Sequence, residues 1–484
     1  MKKKAAVTML AAAMTGSMLM GGTVLADEAS DLPVVKYAMP STYDFTDVDL
    51  VEAEINKLLA ERFGIQVEIT YINAGSWTQQ SNLLLTGDEV DVIALQQTPL
   101  ATFVNNGQLL CLDDYYENSS EAFKNVWTHG ELEGTKVNGS LYSITNFRNF
   151  ANVYNLHLSE EIVNEMGIDV STIKTFDDIE EILYQVQEQY PDIYPMVGQN
   201  LNFMVNGWSW DGLGDESYVG VLADCGQSTT VENLFNTDDF REFCEYTHKW
   251  YEDGLIMADI LSNTERGDNL ILNGKAFCHL NNDLCAAPAD GIVLAEILPA
   301  WSTSNSYASL SYGINSNSSN PDAAWQFIEA VYTDSDIATL LVDGIEGTHY
   351  VKNEDGSISY PEGKDATTVT YGGAAMYFIY PNSSLTPPLS SNGATFFDDL
   401  MDFNTNATHS IATGFVFDSS EVTDEYAACV NIMNKYYYAL LDGTVDPEST
   451  IEQANQELEV AGIDKIITAK QEQLDAFLAS KEAE

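Results

Sequence analysis

The sequence predicts an α/β protein built as two domains or one interleaved pair. Its 484 residues exceed what one ordinary core serves, while 45% apolar and 11% aromatic residues are ample for globular cores. From Val34 to Leu95, strand and helix signatures alternate, which calls for parallel strands joined by helical crossovers. The third observation is the stretch Asn320–Val351, which reads as a helix pair of the kind that covers such a sheet.

Taken in order, Val34 to Ala38 reads as a short apolar strand and Met39 to Asp47 as a loop. Leu50 to Phe63 carries Val51, Ile55, Leu58, Leu59 and Phe63 on one helical face, with Gly64 as its stop. Ile65, Val67, Ile69 and Tyr71 alternate as a half-buried strand. A loop with Gly75, Ser76 and Trp77 leads to a helix through Leu85, then to the strand Asp91–Leu95. Leu141 to Thr145 and Ala151 to Asn155 are strands flanking Asn146–Phe150, followed by a helix from Ser159 to Met166. Thr175 caps a helix from Phe176 to Tyr190, and Thr237 or Asn236 opens another that runs to Gly254. Ile193–Val197, Ile292–Leu298 and Ser309–Ile314 are further strands. In the helix pair, Asn320 stands at the N-cap and Pro321 at the first helical position, while Asp334 or Ser335 opens the second helix. Beyond a polar insert and an irregular aromatic segment, Thr423–Leu441 is an amphipathic helix, and two more helices form the tail.

Charge and targeting narrow the function. Twenty basic residues against 74 acidic ones give −54, which argues against nucleic acid and anionic lipid as partners. Lys2–Lys4, the apolar run Ala5–Met20 and Val24-Leu25-Ala26 read as a signal peptide, residues 1–26, cleaved before Asp27. No cysteine stands just after the run, the first being Cys111, so the mature chain is expected to be exported, periplasmic or extracellular, without a lipid anchor. Four of six cysteines (Cys225, Cys244, Cys278, Cys285) share one segment, where one or two disulfides or free buried thiols both fit. None has metal-site spacing, and the six histidines are scattered, so no cofactor or metal is expected.

Several of these stretches together resemble a known family. The helix pair, the Asp91-Val92-Ile93 strand, the turn Asn273-Gly274-Lys275-Ala276-Phe277 and the segment Gly414-Phe415-Val416-Phe417-Asp418 carry the likeness. So does the tail Gly443-x-x-Asp446-Pro447-Glu448, continued through Ile451, Asn455, Leu458 and Gly462-Ile463-Asp464-Lys465-Ile466. They resemble family 1 bacterial extracellular solute-binding proteins, in the LipO-like lipoprotein branch, which are the capture subunits of carbohydrate ABC importers. The resemblance implies a two-lobed periplasmic-binding-protein-like fold of type II. It places 33–147 with 287–347 in the first lobe and 148–286 with 348–484 in the second. It further implies a monomer that takes a carbohydrate, an oligosaccharide, into the cleft between lobes and hands it to permease subunits.

No enzyme motif interrupts this reading: neither a Gly-x-Ser-x-Gly elbow nor His-Glu-x-x-His occurs, and Gly274-Lys275 and Gly363-Lys364 lack the Ser or Thr of a P-loop. Sugars stack their C–H faces on aromatic rings and pair their hydroxyls with amides and carboxylates. Trp77, Trp208, Trp210, Trp301, Tyr380, Phe415 and Phe417 can supply the rings; Asp44, Gln97, Asn281, Asp283 and Asp418 can supply the polar partners. Ligands of open α/β sheets bind beyond the carboxyl ends of strands, which sets Asp44, Trp77 and Gln97 on one rim. Trp77 and the Phe417–Asp418 pair are expected to face one cleft. The alternatives are a peptide or amino-acid binder on the same fold, and an exported hydrolase acting on glycans.

Overall fold

The computed structural model describes residues 32–127, 130–199, 204–205, 207–214, 216–283, 285 and 288–481. The signal-peptide assignment lies outside them. Among the described residues no helix is long and apolar enough to cross a membrane.

Two five-stranded sheets organise the chain. In the first, the strands run in the order Gln66–Asn73, Val34–Ser41, Val92–Gln96, Leu310–Ile314 and Ile144–Thr145. The first three are parallel, as strand–helix–strand connections require, and Leu310–Ile314 is antiparallel to both of its neighbours. In the second, the order is Thr408–His409, Ile292–Ser302, Asn152–Ser159, Ala276–Asp283 and Tyr194–Met196. This is the two-sheeted α/β arrangement that the sequence leads one to expect.

Helix periodicity holds where it was strongest. Helix Val48–Arg62 buries Val51, Ile55 and Leu59. Thr175 and Asp178 form a reciprocal cap on helix Phe176–Gln189, each side chain accepting from the other's amide. Pro321 opens helix Pro321–Thr333, yet the Asn320 side chain makes no capping bond. Asp334 instead caps the next helix, Ser335–Asp343, by accepting from the amides of Asp336 and Ile337. The Arg62 guanidinium donates to Asp334 at 2.7 Å and to Asp336 at 2.8 Å, so the helix pair is tied to the first helix of the chain.

Each sheet has its own core, and the aromatic segment after Val351 departs from expectation. Tyr371, Tyr377, Tyr380, Phe396 and Leu400 pack into the core of the first sheet, although 348–484 was assigned to the second lobe. The three tyrosines lie on short irregular turns without helix or strand period, and hydroxyls help fix them: Tyr71 and Tyr371 share a hydrogen bond of 2.8 Å, and Tyr371 also donates to Leu341 O. Ile292–Ser302, expected with the first lobe, lies in the second sheet because it pairs antiparallel along Asn152–Ser159. The chain therefore passes between sheets three times: at 146–151, at 303–309, and through helix Phe396–Asn406 into Thr408–His409. All six cysteines are free thiols.

The tail motifs have structural causes. Asp446 accepts from Ser449 N at 2.9 Å and Pro447 follows it, so this pair starts helix Pro447–Ala461. Gly443 sits at φ +70°, where a Cβ would lie 2.2 Å from Thr247 O. Only glycine lets this turn rest against helix Asp238–Glu252.

Candidate functional site

A cavity of about 330 Å³ opens where the crossings meet. Its base comes from the first crossing (Arg148, Asn149, Phe150, Asn152) and the second (Thr303, Asn305, Ser306, Ser309). Rings from the second sheet's side, Tyr154, Trp208, Trp210, Tyr218 and Trp301, form most of the wall, and Phe378 stands on the first sheet's side. Asn282 and Glu216 add polar groups. A shallower groove of about 590 Å³, lined by Leu58, Leu340 and Leu385 with Glu54, Lys57 and Asp336 among its charged residues, lies against the first core. It draws on one sheet only and presents few rings.

Arg148 sets the electrostatics of the cavity. Its guanidinium donates to Asn149 O at 2.8 Å, to Ser309 Oγ at 2.6 Å and to Ser306 O, and lies 5.5 Å from the Phe150 ring centroid. Among the described residues no carboxylate forms an ion pair with it, and burial lowers its pKa to about 10. The same bonds tie the first crossing to the second. Trp208 is held in place by stacking on Phe176 at 5.6 Å and by edge contacts with Tyr154 and Phe243 at 5.2 Å.

Of the sequence-predicted residues, Trp208, Trp210 and Trp301 line this cavity. Asn281 and Asp283 flank Asn282 but turn to another cluster: Asp283 accepts from Asn155 Nδ2 and His157 Nε2 and from the Asn281 amide. The remainder lie elsewhere. Trp77 is 0% exposed, in the core of the first sheet, because the helix starts at Trp77 itself and turns its ring inward with Ser81. Tyr380 is buried in the same core. Phe415 packs on Phe477, and Phe417 lies beneath Lys470 and beside Tyr426, so both anchor the tail helix Ile463–Lys481. Asp418 is exposed; its carboxylate accepts from Ser420 N at 2.9 Å and its backbone bonds Gln473. Asp44 is exposed, and Gln97 accepts from Thr78 Oγ1 at 2.6 Å, both away from the cavity lining. The expected pairing of Trp77 with Phe417 and Asp418 across one cleft is therefore corrected.

The sequence reading missed Arg148, Phe378 and the hydroxyl-rich run Thr303–Ser309. The available signal was position: each lies on or beside a segment joining strands of different sheets.

The model of the bacterial extracellular solute-binding protein family matches residues 48–338, more than half of the chain. The chain belongs to that family. Residues 411–479 match a second model, described as a domain of unknown function (DUF3502), over the stretch that holds Phe415, Phe417 and the Gly443 turn. A Streptococcus pneumoniae protein named carbohydrate ABC transporter substrate-binding protein is 23% identical over 491 residues, spanning 99% of this chain and 98% of its own. Among solved structures, the N-glycan transport solute binding protein of Streptococcus pneumoniae superposes with a TM-score of 0.80 at 22% identity, over 93% of this chain and 100% of that one. Its complex with Man1GlcNAc gives 0.71 at 21% identity, over 92% and 100%. The S. pneumoniae binding protein FusA with kestose gives 0.62 at 14% identity, over the same shares. At these identities the structures establish the fold shared by this solute-binding chain.

Proposed function

We propose that this solute-binding protein captures an oligosaccharide in the cavity between Arg148, Trp208 and Phe378 and delivers it to the permease of an ABC importer. The observation that carries the reading is the meeting of seven rings with amides and hydroxyls at the place where the chain crosses between sheets. Rings stack on sugar C–H faces; Asn149, Asn152, Asn282, Asn305 and the serines take up hydroxyls. The names of the relatives support it, since they bind N-glycan fragments or kestose and are carbohydrate transporter components.

The lobes in this reading are 33–147 with 310–400 and 152–302 with 408–481, joined by the three crossings. Bending at the crossings closes the lobes on the sugar and forms the surface that the permease reads. The protein acts as a monomer outside the cytoplasmic membrane after loss of residues 1–26. It binds its sugar without turning it over.

The test is a ligand screen on the mature chain by thermal shift and calorimetry, with neutral N-glycan fragments, fructo-oligosaccharides, peptides and amino acids. An oligosaccharide that raises the melting temperature, binds one per chain and is recovered intact supports the proposal. A peptide as the only hit, or release of shorter sugars, overturns it.

A further inference from the structure

Beside the cavity, two histidines and an aspartate converge in a way that the solute-binding role leaves unused. His157 and His279 are directly opposed in the register of strands Asn152–Ser159 and Ala276–Asp283, so their rings share one face with centroids 4.8 Å apart. Both are buried, at 4% and 1% exposure. Helix Gly267–Leu272 lies over them, and its first residue needs to be glycine, since a Cβ there would sit 2.5 Å from the His279 ring. The helix delivers Asp268 to the gap: its Oδ1 is 2.8 Å from His157 Nδ1 and 2.8 Å from His279 Nε2.

The outer nitrogens are also occupied. His157 Nε2 lies 2.8 Å from Asp283 Oδ2, and His279 Nδ1 lies 2.9 Å from Leu280 O. Both of these partners are acceptors, and the Asp283 contact is much shorter than the 3.4 Å from Asn281 Nδ2 to His157 Nε2, so the outer nitrogens are the places that favour a proton. Both inner nitrogens then point lone pairs at one place, where they meet a third lone pair on Asp268 Oδ1. Three acceptors converging with no proton among them are a ligand set. The alternatives put a proton among them, as one or two imidazolium ions beside the carboxylate or as a protonated carboxyl.

We propose that His157, Asp268 and His279 bind a divalent transition-metal ion of the zinc class. Two imidazoles and a carboxylate suit zinc, and outer N–H groups held by a carboxylate and a carbonyl are the usual means of fixing such ligands. One ion satisfies all three acceptors at once and leaves both rings neutral. The Asp268 side chain is 29% exposed, so an ion reaches the site from solvent and water completes its coordination. The ion braces helix Gly267–Leu272 against the two strands whose Tyr154 and Asn282 line the cavity.

The experiment uses the mature chain stripped with a chelator and titrated with zinc chloride by calorimetry, with metal content measured after gel filtration. One zinc per chain, a higher melting temperature reversed by chelator, and a visible tetrahedral spectrum on cobalt substitution are expected. Asp268→Asn, at a partly exposed position that leaves the fold intact, lowers zinc affinity more than tenfold. His279→Gln abolishes binding. Asp283→Asn, outside the ligand set, lowers it about 10- to 100-fold. Failure to retain zinc, or equal retention by Asp268→Asn, overturns the site. So do nitrogen chemical shifts showing doubly protonated rings in the presence of zinc. These readouts need no sugar, so they stand or fall apart from the oligosaccharide proposal.

Discussion

Asn404 grips the first crossing from the third. Its Nδ2 donates to Arg148 O at 2.8 Å while its Oδ1 accepts from Phe150 N at 2.7 Å, so one buried amide pairs with two backbone groups on either side of Asn149. Arg148 in turn reaches Ser306 and Ser309 on the second crossing. The three passages between sheets thus form one hydrogen-bonded unit beneath the cavity.

Asn404→Ala leaves a buried N–H and C=O without partners. The expected cost is about 2–3 kcal/mol of stability, read by urea denaturation with an unchanged m-value. Asn404→Asp keeps only the acceptor and should fall between parent and alanine variant. A loss smaller than about 0.5 kcal/mol for the alanine variant would show that the amide is not a clamp.

Phe378→Ala and Trp208→Leu should each weaken binding of the identified oligosaccharide at least tenfold, near 1.4 kcal/mol, with one sugar still bound per chain. Calorimetry on both variants checks this. Asp418→Asn should bind like the parent, because that carboxylate is spent on Ser420 N beside the tail helix.

Trp77→Ala should act on stability. Removing a fully buried indole costs about 3–5 kcal/mol, while the folded fraction keeps its sugar affinity. Denaturation and binding measured on the same sample separate the two effects.

Asp442 gives a pH dependence of definite sign. Burial raises its pKa from 3.8 to about 7, against the pull of the Met204 amide that donates to it at 2.6 Å. The folded chain therefore keeps a proton that the unfolded chain releases. This contribution is complete below about pH 4 and is lost as pH rises through 7. The difference between parent and Asp442→Asn stability curves should change by roughly 2–4 kcal/mol across that window, favouring the variant at the alkaline end. Parallel curves would refute the assignment.

Much of the fold was legible where one period dominated: the alternating strands and helices to Val92–Gln96, the Thr175 cap, and the helix pair after Pro321. The aromatic segment from Tyr371 to Tyr380 was not, because rings on irregular turns carry no period that names the core they enter. Trp77 was misread for want of one observation: Trp77, Ser81 and Leu85 recur every fourth residue, which marks an inward helical face rather than a rim. Phe415 and Phe417 lay in a distinctive motif, yet its distinctiveness comes from packing against Phe477 and Lys470. Of the cavity, the tryptophans were found by residue type. Arg148 and the serines were not, since their importance comes from three crossings meeting, and two of those crossings were placed elsewhere. His157 and His279 are far apart in sequence and join only through strand register.

The three crossings also govern when the molecule can take shape during synthesis. The first core draws on residues from Val35 to Leu400, and the second on residues from Tyr154 to Leu474. Neither is a continuous piece of chain, so an emerging polypeptide cannot finish one lobe and then begin the other. The second core waits for the tail helix, which supplies Ile463, Ile466 and Leu474 to it. Closing contacts over such separations is slow. A growing chain therefore stays loose in its first core until the third crossing has been made, and in its second until the tail helix has.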